Sequence, residues 1–320
     1  MNKKKILTFG EPLVLYTADQ LDEPLLSATK FTRSVVGAEF NVLVGLTKLE
    51  IPCLYVGAVG DNFHGQCIVN RMLELKVDAS CLLKNGHKTT GYMFKQTVSA
   101  GEPNIHYERN NTAFKAIDLT ALQHVDWNEI ALVHLTGISL AATLNNRVVF
   151  DEIINQTKIH KIPLSFDPNI RMQLWANEQQ ATTTINTIAK QATYFLPGYN
   201  EAKLLTGLTD PNEIMDFYLK SGVNTVFMKS YHGKSIAKNK MNHAITVDNF
   251  KVDKVVDVVG AGDGFAVGVL SSLYDGFGDL KQILYRANGI GAKIVSIYGD
   301  NAGYPTRNEL EAFITQQKLD

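Results

Sequence analysis

The run Asp257-Val258-Val259-Gly260-Ala261-Gly262-Asp263-Gly264-Phe265 sets a carboxylate directly behind two glycines, where a helix is expected to begin. Residues 254–259 are β-branched and predict an extended segment, whereas 265–274 are small and apolar, interrupted only by Gly268, and predict a buried helix. A glycine turn that opens a helix directs unpaired N–H groups and the positive end of the helix dipole outward, which suits an anion. A carboxylate in that place is repelled by any phosphate the amides attract. The pairing makes sense if Asp263 takes a proton from a hydroxyl while the amides around Gly260, Ala261 and Gly262 hold a developing phosphate charge. The expected chemistry is phosphoryl transfer to an alcohol, with Asp263 as general base. The plainer alternative is a glycine turn with a helix-capping aspartate.

The elements that must position this turn alternate in type. A first strand spans 6–11, a helix 37–49, a second strand 54–60 and a helix 63–75 behind Asp61-Asn62 as cap. Further strands are expected at 131–136, 163–166, 194–196 and 225–229, with helices between most of them. That order predicts a doubly wound, mostly parallel α/β sheet. Two stretches break the alternation. Residues 12–35 read as irregular, and 91–98 with 104–109 read as a hairpin closed by 99–103. Both look like insertions that make a small second sheet, with mere decoration as the alternative.

Composition narrows the function. A chain of 320 residues with 45% hydrophobic and 20% charged residues has ample core, and a net charge of −1 offers nothing to nucleic acid or an anionic membrane surface. Glu11 and Pro12 interrupt the apolar run behind Lys3-Lys4-Lys5, so it fails as a signal peptide, and no stretch is long enough for a membrane span. Cys53, Cys67 and Cys81 form no Cys-x-x-Cys pair and read as reduced thiols of a cytoplasmic protein.

Asp-x-x-Gly-Ala-Gly-Asp followed by a small-residue helix through Val267-Gly268-Val269-Leu270 resembles the C-terminal signature of the ribokinase-like (PfkB) carbohydrate kinases. The resemblance implies a three-layer αβα core with a mostly parallel sheet, over 1–11, 36–88 and 112–320. It also implies a β-sheet lid over the sugar, over 12–35 and 89–111. ATP and Mg²⁺ are the implied cofactors, with a monovalent cation left open. The upstream signature is altered. Gly37 and Asn41, which approach sugar hydroxyls in the family, are kept, but Val36, Phe40 and Glu50 stand at usual glycine, alanine and glycine positions. Glu201 matches the acid of the family's Asn-x-x-Glu motif and is the metal-site candidate, although Gly198 replaces the Asn. A Walker A loop is excluded because Gly233-Lys234-Ser235 would need glycine at Met228. Nucleotide binding should therefore be of the ribokinase type, and the resemblance implies Lys229, Ser230 and Gly233, the glycines Gly260 and Gly262, and the segment 287–293 with Asn288 as its residues.

The arginines bear on the substrate. Arg171, in Asp167-Pro168-Asn169-Ile170-Arg171, follows a strand and should sit at the carboxyl edge of the sheet. Tyr107 and Arg109 share one face of the hairpin by alternation, with Tyr92 offered by the partner strand. Guanidiniums and phenols around a small pocket suit a carboxylate, which arginine binds through two parallel hydrogen bonds. Together with Gly10-Glu11 and Gly299-Asp300, these residues resemble the 2-keto-3-deoxygluconate kinases of the family, which implies Asp300 and Asp263 as further substrate contacts. The alternatives are a neutral sugar such as fructose, or a non-catalytic sugar or nucleotide binder. An exposed apolar face on a single lid predicts self-association through lids.

Overall fold

A computed structural model of the chain describes residues 4–317 other than 100, 102, 143 and 242, with the backbone but not the side chains of 144–146. Lys3 and two residues of the 99–103 loop thus lie outside the described residues. The chain opens with β1 (Lys5–Phe9), enters a small sheet through β2 (Leu13–Leu21) and β3 (Phe31–Val36), and continues through α1 (Ala38–Lys48), β4 (Cys53–Gly60), α2 (Phe63–Glu74) and β5 (Leu82–Asn85). The small sheet is completed by β6 (Tyr92–Thr97) and β7 (Ile105–Glu108). Alternation resumes with β8 (Ile130–Thr136), α3 (Gly137–Ala142), α4 (Leu144–Ile159), β9 (Leu164–Asp167), α5 (Glu178–Ala189), β10 (Tyr194–Phe195), α6 (Tyr199–Thr206), α7 (Pro211–Lys220) and β11 (Thr225–Tyr231). The hairpin β12 (Lys234–Asn239) and β13 (Ile245–Asp248) precedes α8 (Ala261–Tyr274), α9 (Leu280–Val295) and α10 (Arg307–Gln317).

The large sheet has the order β13-β12-β11-β10-β9-β8-β1-β4-β5 and the small one β3-β2-β6-β7. From β11 to β5 the large sheet is parallel, and β12 and β13 extend it antiparallel. Strands buried on both faces need unbroken apolar runs, and every residue of β4 is buried. One helical layer packs α4, α5, α6 and α7 against the sheet through Phe150, Ile185, Leu205 and Ile214. The other packs α1, α2, α8 and α9 through Leu43, Ile68, Val267 and Leu284. The three-layer αβα core and its small second sheet are as expected. The chain leaves β1 toward β4 on one side and returns to β8 on the other. The carboxyl ends of β1 and β8 therefore flank the crevice where such sheets bind ligands.

Two local expectations need correction. Residues 12–35 are an antiparallel hairpin, not irregular chain; β2 is buried on both faces at its start and exposed at its end, so no alternation marks it in the sequence. Residues 254–259 form no strand. Val255 and Val258 are 56% and 65% exposed, and the N–H groups of Val256 and Asp257 both reach the Val295 carbonyl. The short strand β5 and the β12–β13 hairpin carry too many polar residues to stand out by pattern alone.

Candidate active site

Asp263 lies in the first turn of α8, half-buried. The turn before it depends on Gly260, whose φ of +83° is left-handed and where a Cβ would come 2.2 Å from the Asp300 carbonyl oxygen. Ala261 N–H makes a long 3.4 Å bond to Val258 O, and the N–H groups of Gly262 and Asp263 have no partner among the described residues. The helix start thus offers two free donors rather than the three expected. The Asp263 carboxylate accepts a 2.9 Å bond from Asn41 Nδ2 in α1, and Asn41 Oδ1 accepts in turn from Asn301 Nδ2 at 2.8 Å. Asn41 therefore orients the acid. Burial pushes the Asp263 carboxyl up to about 7, against the pull of the Asn41 bond, with the charge of nearby Asp167 adding to the rise. A base tuned to that range suits proton transfer near neutral pH.

Lys229, near the carboxyl end of β11, donates to Asp167 at the end of β9. Its ammonium lies against the glycine turn, 3.3 Å from where a Cβ of Gly262 would sit. Burial works to lower the Lys229 pKa, but the carboxylates of Asp167 and Glu201 outweigh it and raise it. The cation is held charged. Glu201 spends one oxygen on Ile170 N–H at 2.8 Å and the other on Gly198 N–H at 2.7 Å, so it caps its own helix and anchors the loop that carries Arg171.

On the opposite side, Gly37 precedes α1 with φ +137°, and a Cβ there would meet the Glu11 carbonyl oxygen at 2.6 Å. Arg109 donates through Nε at 2.8 Å and Nη2 at 2.6 Å to the same Glu11 oxygen. Its guanidinium lies 5.9 Å from the Tyr107 ring centroid, so those two residues do share a face. Tyr92 does not join them. It pairs with Glu108 while Met93 pairs with Tyr107, which puts it on the other face, stacked on His64 at 4.7 Å. Asp300 is buried and is bonded by Lys95 Nζ at 3.2 Å. Exposed Arg171 is near enough to favour the charged form of the Asp300 carboxyl, which burial pushes up.

Residues 3–307 match the pfkB family of carbohydrate kinases. The chain belongs to that family. It is 34% identical over 318 residues to the 2-dehydro-3-deoxygluconokinase of Bacillus subtilis (strain 168), covering 99% of this chain and 97% of that one. The crystal structure of a PfkB protein from Polaromonas sp. JS666 superimposes with a TM-score of 0.87 at 30% identity, covering 97% of this chain and 99% of that one. That of 2-dehydro-3-deoxygluconokinase from Thermotoga maritima has a TM-score of 0.84 at 16% identity, covering 98% and 99%, a likeness of fold.

A PfkB carbohydrate kinase uses ATP with Mg²⁺, and the residues around Lys229 fit a metal that arrives on the nucleotide. Asp167, Glu201 and Asp263 all bear on the single Lys229 ammonium, so carboxyl oxygens outnumber cations on this side of the site. No cluster among the described residues forms a ready-made metal cage, and both Glu201 oxygens are already engaged. Of the nucleotide candidates, Ser230 lies near the end of β11 and Gly233 in the β11–β12 turn, and Ser230, His232 and Gly233 have φ of 65°, 48° and 75°. Asn288, buried in α9, donates to the Asp248 carbonyl at 3.1 Å.

Sequence reasoning missed Lys95, Asn301 and Glu39 and assigned no role to Asp167. Lys95 had a signal: it shares a face with Met93 on an otherwise apolar-facing strand. Glu39, buried at the β1–β8 crevice, accepts from Thr136 and Ser139 at 2.5 Å each. Asn301 is visible only once the loop before α10 is folded against α1.

Proposed function

We propose that this kinase transfers the γ-phosphate of ATP to the terminal hydroxyl of 2-keto-3-deoxygluconate (2-dehydro-3-deoxygluconate), giving 2-keto-3-deoxy-6-phosphogluconate and ADP. The observation that carries the chemistry is the Asp263 carboxylate, oriented by Asn41 beside two unpartnered amides of a helix N-terminus. The hydroxyl oxygen attacks the γ-phosphorus, the bond to the β-phosphate oxygen breaks, and the hydroxyl proton passes to Asp263. The Gly262 and Asp263 amides and the Lys229 ammonium stabilise the charge gathering on the transferred group. Mg²⁺ arriving with the nucleotide would lie on the side of Lys229 and Asp167 and would supply further charge neutralisation there. Gly260 shapes the turn, and Ser230, Gly233 and Asn288 line the nucleotide side.

The choice of a sugar acid rests on the Bacillus relative and on Arg109, Arg171 and Tyr107, with Gly37, Asn41 and Asp300 toward the sugar hydroxyls. One observation favours a second reading, a neutral sugar such as fructose. Glu11 already takes two donors of Arg109, so only its remaining nitrogen and Arg171 are left for a carboxylate. Self-association through the lid belongs to the same proposal, supported by Leu21 and Leu26, 48% and 104% exposed at the far end of β2 and its connection. Cytoplasmic residence is supported by three free cysteines. No helix among the described residues is long and apolar enough to cross a membrane. The test is product identification. Phosphorus NMR of a reaction with the keto acid should show a phosphomonoester on C6; a product phosphorylated elsewhere, or none, would overturn the assignment. Sodium and potassium salts compared in the same assay report on a monovalent cation.

A further inference from the structure

Lys95 belongs to the small sheet, yet its ammonium is buried between two loops of the αβα core, the one before α8 and the one before α10. Nζ donates to Asp257 Oδ2 at 2.7 Å and to Asp300 Oδ1 at 3.2 Å, and the side chain is 5% exposed. Its neighbour on the same face of β6, Met93, packs with Leu13, Leu15 and Val36. An apolar residue would continue that packing without the desolvation cost of a buried charge. The charge therefore needs a reason, and its two partners supply one. Asp257 Oδ1 accepts a 3.0 Å bond from Val259 N–H, which fixes the approach to Gly260. The Asp300 carbonyl packs directly on Gly260. The next residue, Asn301, holds Asn41, and Asn41 holds Asp263.

We propose that Lys95 is a positioning residue, a counter-charge carried by the lid that locks the Asp257 and Asp300 segments around the anion site. Docking of the lid and assembly of the phosphate-binding turn then become one event. Without the ammonium, two carboxylates with little exposure would stand unpaired beside a helix start that must accept a polyphosphate. They would repel each other and the nucleotide, and the turn would lose its support from both sides. The inference rests on the phosphoryl-transfer reading of Asp263.

The experiment compares Lys95→Met, Asp257→Asn and the double variant with wild type. Steady-state kinetics with ATP and the sugar are read beside thermal melting. Lys95→Met should stay folded, lose about 100-fold in kcat, the scale of a misplaced reacting geometry, and raise the KM for ATP more than that for sugar. Ammonium or methylammonium at high concentration should restore part of its kcat and leave wild type unchanged. The double variant, with one stranded carboxylate removed, should be more active than Lys95→Met alone; it carries the same readouts if the single variant does not fold. A lower melting temperature with kcat and ATP KM unchanged would make Lys95 a structural pin and overturn the proposal. So would additive effects in the double variant with no amine rescue. Wild type inactive on every sugar would overturn the phosphoryl-transfer reading and this inference together; an active wild type with an indifferent Lys95→Met overturns the inference alone.

Discussion

In the proposed mechanism Asp263 concentrates the chemistry, and its substitution should separate catalysis from folding. Asp263→Asn keeps the Asn41 contact within reach and removes the base; turnover should fall by about 10²–10⁴-fold with an unchanged melting temperature. Retention of a tenth of wild-type kcat would remove Asp263 from its role. The acid must be deprotonated to work, so kcat/KM should rise with pH through about 7, where burial sets the group. The stability sign is opposite. An unfolded aspartate titrates near ~3.9, so between that value and about 7 the folded state holds the extra proton. Asp263's own stabilising contribution is then full at acid pH and lost as pH rises through about 7. Asn41→Ala deletes the hydrogen bond that favours the carboxylate and should move the kinetic midpoint upward; a profile that stays in place would detach Asn41 from the base. Arg109→Ala should raise KM for the sugar far more than for ATP. Equal effects would assign Arg109 to holding the lid through Glu11.

At the scale of elements, α8 is held by its neighbour as much as by its glycine start. Gly268, the one breaker in its apolar run, lets α8 approach α9 so closely that a Cβ would lie 2.3 Å from Ala287 Cα. Gly268→Val should force the helices apart and lower stability by about 1–3 kcal/mol, read by chemical denaturation. An unchanged midpoint would mean that the two backbones have room to spare. What could be read beforehand follows the same physics. The glycine turn, α8 and the buried parallel strands were legible because their patterns are local and dense. Residues 254–259 were misread because β-branching reports a preference for extended chain but cannot say whether a strand is there to pair with. The Asn301–Asn41–Asp263 chain was not legible, since its members lie 260 and 222 positions apart and meet only through tertiary packing. Tyr92 went to the wrong face because alternation fixes faces within a strand, whereas the register between β6 and β7 decides which residues oppose each other.

Across the whole molecule, the switch between β1 and β8 opens a crevice at the carboxyl edge of the large sheet. Three charged groupings surround it: Arg109 with Glu11, Lys229 with Asp167, and Lys95 with Asp257 and Asp300. Two of the three cations, Arg109 and Lys95, come from the small sheet and its trailing edge, so a lid formed by that sheet, as proposed, would contribute electrostatics as well as cover. If its outer face also joins two copies, sedimentation velocity should show a dimer; a monomer across the working concentration range would leave the lid with its intramolecular role. Whether the enzyme is a sugar-acid kinase with Asp263 as base is decided by kcat/KM for ATP-dependent ADP release on 2-keto-3-deoxygluconate and on fructose, side by side. Turnover should favour the keto acid by at least ~100-fold, the worth of about 2.7 kcal/mol in transition-state binding. Equal or better turnover of fructose would contradict it and give Glu11, not a substrate carboxylate, as the partner for which Arg109 is there.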